Sequence, residues 1–328
     1  MRVYLSSPHR YPGWRFGLAS SGIHDRLARG LAELGHEVRY HLITGSETKL
    51  PDGVALVEGL LGGEDVLHIN HTPIRAVPLS KLPWVRSVHS DLLDAGVPRD
   101  TARPNFIFVS ETMALLHKSR RFVRNGLDPD EFIYSETKNP YFLFIISGSI
   151  NKALRKGLDT AFWLANQTAT KLVVAGGSGY QPEMAQYADL CRAHGSEFIG
   201  IVNGRRKAEV LTAAKALLFP TKLSEAFGLP VAEAMMSGTP VIASDRGAMR
   251  ELVDPAAGFV CANESDYLDA VQNLSRIKPA DCRRLALDRF HYLDMARGYL
   301  REYEQEIGSS SRSQLPPAPA TTSDFICS

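Results

Sequence analysis

The 328-residue sequence has little cysteine, almost no net charge and no long apolar run. Its four cysteines, Cys191, Cys261, Cys282 and Cys327, are widely scattered and form no metal-spaced pair, which suits free thiols in a reducing compartment. The formal net charge of +1 gives no general field for a polyanion, so nucleic acid is not an expected partner. No apolar run approaches the roughly 20 residues that span a bilayer, and no secretory signal opens the chain, so we predict a cytoplasmic protein.

What the sequence does contain is a regular alternation of strand and helix patterns, with room for about two domains. Strands are predicted at Val3–Ser6, Glu37–Ile43, Asp65–Asn70, Trp84–His89 and Asn105–Val109, and again at Tyr141–Ser147, Lys171–Ala175, Glu197–Ile199, Ala216–Phe219 and Val241–Ala243. An amphipathic helix is predicted at His24–Leu34, and a linker at Asn125–Asn139. The alternation predicts an α/β fold with two Rossmann-like sheets.

The sequence from Ala286 to Ser328 divides into two parts of different composition. Ala286–Ile307 has aromatic and charged residues at helical spacing. Gly308–Ser328 is rich in Ser, Pro, Ala and Thr and has too little apolar surface to form a core, so we predict a disordered tail at 308–328.

The most informative stretch runs from Ala216 to Cys261. A short apolar strand ends at Pro220 and is followed by a polar loop. Gly228 lets the backbone turn, a helix starts near Leu229, and Gly238 ends it as a left-handed cap. Strand, helix and returning strand make a right-handed βαβ unit, and ligands of open α/β sheets bind at the carboxyl ends of the strands.

This βαβ unit carries two glutamates, Glu225 and Glu233, around its helix start. The amides of a first helical turn favour phosphate, and carboxylates accept hydrogen bonds from hydroxyl groups. Together they suggest a ligand in which a sugar is joined to a phosphate. The alternative is that both glutamates are solvated charges on a helix start, and the spacing alone does not separate the two.

At these residues the chain resembles the family 4 glycosyltransferases of the GT-B fold. Their hallmark, E-x-F-G-L-x-x-x-E-A-x-x-x-G-x-P-V, is matched by Glu225, Phe227, Gly228, Leu229, Glu233, Ala234, Gly238, Pro240 and Val241. Further parts of the pattern occur in order, from LGHEV at Leu34–Val38 to KLVVAGGSG, and the resemblance covers about residues 1 to 305.

The resemblance implies two Rossmann-like domains that face each other across a cleft. The N-terminal acceptor domain would comprise residues 1–135, joined by residues 290–307 of a C-terminal helix that crosses back to it. The donor domain would comprise residues 140–289. The implied reaction is transfer of a sugar from a nucleotide-sugar to a hydroxyl-bearing acceptor, with retention of anomeric configuration and with no metal or other cofactor.

The resemblance also assigns the donor site. Lys156, which precedes Gly157, would neutralise the donor diphosphate and stabilise the charge that grows on it during transfer. Glu225 would hold hydroxyl groups of the donor sugar with help from the amides of Phe227, Gly228 and Leu229, and Glu233 would hold the ribose. The family has a second cation, an arginine, where this chain has Ser149 or, counted back from Lys156, Asn151. Lys152 or Arg155 would replace that arginine, and the alternative is that Lys152, Arg155 and Lys156 are all solvated loop charges.

The first domain supplies further candidates. By resemblance, His89 at the end of the predicted strand Trp84–His89 lies beside the donor sugar; a single histidine there is ordinarily a polar cap. The family's glycine-rich turn after the first strand would be formed here by Gly17 or Gly22, and Gly22 is the donor-binding candidate. The loop from His9 to Ser21 also carries bulky side chains suited to an acceptor ring, or to packing between domains: Tyr11, Trp14, Arg15 and Phe16.

Two other patterns carry less weight. His68 and His71 are three residues apart, but a strand does not place them on one face, so a zinc site is not expected. The basic segment His117–Arg124 suggests weak peripheral contact with anionic lipid, against the alternative of a solvated face.

Two other functions remain open at the level of sequence. A nucleotide-sugar epimerase of GT-B fold would modify the donor without an acceptor. The absence of the family's arginine would be consistent with a protein that binds a nucleotide-sugar without catalysing a reaction.

Overall fold

The structure is a computed structural model that describes residues 1–12, 19–70 and 82–310. The chain divides into two compact units. The first unit comprises the described residues of Met1–Gly126 and Tyr292–Ser328, and the second comprises Leu127–His291. Residues 127–135, assigned above to the first domain, therefore lie in the second unit, where the Leu127 N–H donates to the Phe290 carbonyl at 2.7 Å.

Each unit has one parallel sheet with six strands among the described residues. The first sheet contains β1 (Arg2–Ser7), β2 (Glu37–Leu42), β3 (Val54–Val57), β4 (Val66–Asn70), β5 (Trp84–Val88) and β6 (Phe106–Phe108), in the order β3-β2-β1-β4-β5-β6. The second contains β7 (Asn139–Ser147), β8 (Lys171–Gly177), β9 (Glu197–Phe198), β10 (Ala214–Phe219), β11 (Val241–Ser244) and β12 (Gly258–Cys261), in the order β12-β11-β10-β7-β8-β9. Both orders are that of the doubly wound Rossmann sheet, which confirms the predicted α/β class.

Helices of the first unit are α1 (Ala19–Glu33), α2 (Glu111–Leu116) and α11 (Tyr292–Ser310). Those of the second are α3 (Ile150–Arg155), α4 (Leu158–Gln167), α5 (Gln181–Ala193), α6 (Gly204–Ala213), α7 (Leu229–Met236), α8 (Met249–Leu252), α9 (Glu264–Asn273) and α10 (Pro279–Phe290). Short 3-10 helices lie at Leu92–Ala95, Arg99–Thr101, Pro129–Glu131 and Leu274–Arg276.

Most predicted elements are present, and the differences have local causes. The ten predicted strands agree with the structure to within two residues at each end, whereas β3 and β12 were not predicted. The helix predicted from His24 already begins at Ala19. Because the helical pattern after Ala286 is interrupted at His291, which forms a bridge with Leu127, it yields two helices. The second of these continues to Ser310, so the tail predicted from Gly308 is wrong for its first three residues, and 311–328 lie outside the described residues.

The terminal helix α11 packs on α1 and β5 of the first unit, as the fold prediction required. Tyr299 and Tyr303 are almost completely buried there. The Tyr303 hydroxyl lies 2.6 Å from His68 Nδ1, and the Tyr299 hydroxyl lies 2.7 Å from Ser87 Oγ. Buried polar groups need such partners, so these contacts fix how α11 sits on its own sheet.

Candidate functional site

The predicted donor residues gather where the strand order of the second sheet reverses. Strands β7 and β10 are neighbours there, and each leads into a loop at its carboxyl end. The segment after β7 ends at Lys156, and the loop after β10 contains Glu225. Crevices beside such a reversal are where open α/β sheets bind ligands.

Lys156 is positioned by close contact between these two segments. It caps the C-terminus of α3, and Gly157 follows with a left-handed φ of 86°. A Cβ on Gly157 would lie 2.0 Å from the Pro220 carbonyl oxygen, so only glycine allows the chain to pass this close. The Lys222 N–H donates to the Arg155 carbonyl at 3.0 Å, which joins the loop after β10 to the end of α3.

The loop that carries Glu225 is held from its other side by the segment after β11. Gly247 has a left-handed φ of 57°, and an added Cβ would lie 2.2 Å from the Glu225 carbonyl oxygen. The Ala248 N–H donates to that oxygen at 2.9 Å, and the Ser244 hydroxyl donates to the Thr221 carbonyl at 2.6 Å. The backbone of Glu225 is therefore fixed by contacts that do not involve its carboxylate.

The side chains of Lys156 and Glu225 form an ion pair. Both are largely buried, with 17% and 15% of their side-chain surface exposed. The Lys156 ammonium also lies 5.8 Å from the centre of the Phe219 ring, near enough for a cation–π attraction. The structure therefore brings these two candidate residues into direct contact, and their role in donor binding stays a prediction.

The helix start after this loop has the predicted geometry. Gly228 has a left-handed φ of 81° immediately before α7, and Gly238 has φ of 70° immediately after the Ser237 cap. Phe227 is buried and packs edge-on against Phe290 at 5.6 Å between ring centres. Leu229 is the first residue of α7, so Phe227, Gly228 and Leu229 bring their backbone amides to the N-terminal end of this helix.

Glu233 lies in the second turn of α7 and is 5% exposed. Lys207 from α6 donates to its Oε1 at 2.6 Å. The other carboxylate oxygen, Oε2, is buried and has no hydrogen-bond partner among the described residues. Sequence analysis missed Lys207, because only the packing of α6 on α7 brings together two residues 26 positions apart.

The segment that replaces the family arginine has a structural role of its own. Ser149 caps α3, its hydroxyl accepting the Lys152 N–H at 3.3 Å. Lys152 is half-buried, and its Cδ would lie 2.9 Å from a Cβ added to Gly148. Arg155 is exposed at the end of α3. The contribution of Lys152 or Arg155 to a diphosphate site stays a prediction.

The first-unit candidates are described only in part. His89 follows β5 and is half-buried, and its ring centre lies 6.1 Å from that of His24. Burial, with smaller contributions from His68 and His9, lowers the pKa of His89 to about 3, so the ring is neutral at neutral pH. Gly22 lies inside the first turns of α1 and not in a loop, so the predicted turn is wrong for this residue. Its contact with a donor stays a prediction.

Of the four acceptor candidates, only Tyr11 lies among the described residues. Tyr11 is half-buried, and its backbone N–H donates to the Gly45 carbonyl at 3.2 Å. Trp14, Arg15 and Phe16, and also Gly17, lie outside the described residues. The role of the loop in acceptor binding therefore stays a prediction.

The histidine pair His68 and His71 and the basic segment His117–Arg124 were the two weaker patterns in the sequence. His68 is buried, with Tyr303 and Ser87 as its hydrogen-bond partners, and His71 lies outside the described residues. The described ranges contain no group of three or more His, Cys, Asp or Glu side chains that could hold a metal ion. In the basic segment, His117 is buried, and Arg121 donates to Glu302 at 2.7 Å and to Glu306 at 2.8 Å. His117 and Arg121 therefore make contacts within the first unit. Lipid contact by the other residues of the segment stays a prediction. No described helix combines the length and apolar character needed to cross a bilayer.

The sequence is similar to those of known glycosyltransferases. Residues 130–284 match the family model described as glycosyl transferases group 1. The chain is 31% identical to the phosphatidyl-myo-inositol mannosyltransferase of Mycolicibacterium smegmatis, over 97% of both chains. It is 28% identical to the D-rhamnosyltransferase WbpZ of Pseudomonas aeruginosa, but this match spans 44% of the chain and only 40% of that relative.

Among solved structures, the crystal structure of AviGT4, a glycosyltransferase involved in avilamycin A biosynthesis, matches with a TM-score of 0.75. That match covers 94% of this chain and 98% of AviGT4 at 21% identity. At this level of identity the likeness concerns the fold.

Proposed function

The chain belongs to the glycosyl transferases group 1 family and has the GT-B fold, and from this premise we propose that it is a retaining glycosyltransferase. It would transfer a sugar from a nucleotide-sugar to a hydroxyl group of an acceptor without a metal ion. The observation that carries the proposal is the Lys156–Glu225 ion pair at the strand-order reversal, beside the N-terminus of α7.

In the proposed reaction, the acceptor oxygen bonds to the anomeric carbon on the face from which the diphosphate leaves. The bond between the anomeric carbon and the diphosphate oxygen breaks, and that oxygen takes the acceptor proton. Lys156 stabilises the negative charge that grows on the diphosphate, with the amides of Phe227, Gly228 and Leu229 at the positive end of α7. Glu225 orients hydroxyl groups of the sugar.

The proposal is tested with the purified full chain in two stages. A thermal-shift screen of UDP, GDP, ADP and their sugars identifies the donor, because a ligand that binds the folded state raises the unfolding temperature. Mannosyl donors are screened first, since the relative from Mycolicibacterium smegmatis is named a mannosyltransferase. The stabilising donor is then incubated with alcohol acceptors, and NMR reads the anomeric configuration of the product. An inverted product would contradict retention, and no stabilisation by any nucleotide would contradict the proposed donor site.

A non-catalytic nucleotide-sugar binder is the second candidate. The observation that favours it is the Ser149 side chain, which caps α3 at a position where the family resemblance implies an arginine. Such a binder would be stabilised by the nucleotide-sugar but would release no nucleoside diphosphate with any acceptor. A GT-B epimerase would instead change the labelled donor with no acceptor present, so the same incubations separate all three functions.

A further inference from the structure

Glu233 has a buried carboxylate in which one oxygen accepts a hydrogen bond and the other has no hydrogen-bond partner among the described residues. Its side chain is 6% exposed, Oε1 accepts from Lys207 at 2.6 Å, and Oε2 has no partner within the described parts of the chain. A buried acceptor without a hydrogen bond is unfavourable, and such groups mark a site for a ligand or water. The cation on Oε1 compensates the buried charge, so Oε2 is left as an acceptor.

Lys207 reaches Glu233 from the first turn of α6, which packs on α7. It keeps 26% of its side-chain surface exposed, against 6% for Glu233, so the lysine forms the outer side of the pair. Because Oε2 is itself buried, a ligand hydroxyl reaches it only after neighbouring side chains move.

We infer that Lys207 is a positioning residue, which holds the Glu233 carboxylate so that Oε2 accepts a hydrogen bond from a ribose hydroxyl of the donor nucleotide. The inference rests on the proposed function, together with the role in ribose binding that the family resemblance implies for Glu233. It adds a residue that touches no reacting atom and acts only through Glu233. The lysine would therefore govern how strongly the protein distinguishes a ribonucleotide from its deoxy counterpart.

The test measures this distinction by calorimetry on the full chain. Among UDP, GDP and ADP, the best-binding nucleotide is compared with its 2′-deoxy and 3′-deoxy forms. For the wild-type protein we expect one deoxy form to bind about 10- to 100-fold more weakly, as for a lost hydrogen bond to a charged group. For Lys207→Met we expect this ratio to fall below about threefold, while Lys207→Arg restores most of it.

The matched control is Arg205→Met on the same helix. Arg205 forms an ion pair with Glu209 at 2.9 Å, but its side chain is 86% exposed, so the variant should leave the ratio unchanged. If Lys207→Met fails to fold, Glu233→Gln replaces it, and this variant should also lose the distinction between ribose and deoxyribose.

Two results would overturn the inference. One is a Lys207→Met variant that binds both nucleotide forms more weakly but by the same factor, which is the result expected if the lysine is only structural or contacts another part of the nucleotide. The other is a wild-type protein that binds the nucleotide but does not distinguish its deoxy forms. In both cases the nucleotide still binds, so the proposed function stands; its own failure is recognised by the absence of nucleotide binding.

Discussion

Each glutamate of the donor site is paired with a lysine from another segment of the chain. Glu225 pairs with Lys156, and Glu233 pairs with Lys207. A buried carboxylate is costly without a cation, so each lysine offsets part of the cost of burying its glutamate. We expect the proposed donor to affect the two pairs differently. Its diphosphate would compete with Glu225 for the Lys156 ammonium group, whereas its ribose would bind Glu233 while Lys207 stays paired with that residue.

The first residue-scale prediction concerns Lys156→Ala. We expect kcat for transfer to fall by about 100- to 1,000-fold, because one electrostatic group that stabilises the leaving diphosphate is removed. Nucleoside diphosphate binding should change much less. Steady-state kinetics gives kcat, and calorimetry gives the affinity. A Lys156→Ala variant with wild-type turnover would remove this residue from the proposed mechanism.

The second residue-scale prediction concerns Glu225→Gln, which removes the anion that neutralises Lys156. We expect UDP, or whichever nucleoside diphosphate binds, to bind several-fold more tightly, since the free ammonium no longer has to leave its partner. Transfer should still fall by about 100-fold, because the sugar loses its carboxylate contact.

The control for Glu225→Gln is Asp159→Asn. Asp159 pairs with Lys222 at 2.5 Å between α4 and the same loop, but both side chains are about half exposed. That variant should change neither the nucleotide affinity nor transfer. A weaker nucleotide affinity in Glu225→Gln would show that the diphosphate and Glu225 do not compete for Lys156.

At the scale of elements, the loop after β10 depends on Gly247 in the segment that follows β11. We expect Gly247→Ala to destabilise the second unit by at least about 2 kcal/mol, because the left-handed backbone disfavours a side chain and the new Cβ meets the Glu225 backbone. Denaturant unfolding measures the loss, and nucleotide affinity should fall with it.

Gly195→Ala is the matched control for this glycine. Gly195 has a left-handed φ of 65° and nothing within 4 Å of an added Cβ. We expect Gly195→Ala to lower the free energy of unfolding by only about 1 kcal/mol, because the left-handed backbone alone disfavours the side chain. Equal losses in the two variants would show that the contact with Glu225 adds nothing.

The same elements show why sequence predicted some features and not others. β7 and β10 are largely apolar strands that are followed by Gly148 and Pro220, so their ends were predicted to within two residues. β3 is a four-residue edge strand with two exposed positions, which leaves no such pattern. Lys207 and the break at His291 depend on contacts between distant segments, and no local signal records these contacts.

At the scale of the whole molecule, the histidines are distributed unevenly. Eight of the ten precede Leu127: His9, His24, His36, His41, His68, His71, His89 and His117. Burial lowers the pKa of His68 to about 3, and its two ring nitrogens lie 2.6 Å from Tyr303 and Ser87 hydroxyls. A neutral ring can donate to one hydroxyl and accept from the other, whereas a protonated ring can only donate.

We therefore expect acid to destabilise the first unit before the second. Because the folded pKa of His68 is lower than its unfolded value of about 6.5, the unfolded chain binds more protons between these values. The stabilisation is complete above about pH 6.5 and declines as the pH falls toward 3. Hydrogen exchange followed by mass spectrometry, from pH 7 to pH 4, would resolve the two units.

The comparison variant for the acid prediction is His68→Gln, which cannot take up this proton. It should be less stable at pH 7, since it loses buried hydrogen bonds, but its stability should depend less on pH. Earlier loss of protection in Leu127–His291 than in the first unit would contradict the expectation.

The return of α11 to the first unit also sets an order of events during synthesis. Every residue of Leu127–His291 leaves the ribosome before Tyr292, so the second unit is complete while the first sheet still lacks Tyr299 and Tyr303. At about 5–20 residues per second, the first sheet waits roughly ten to thirty seconds for its last helix. The unit whose synthesis begins first is thus the one whose core is completed last.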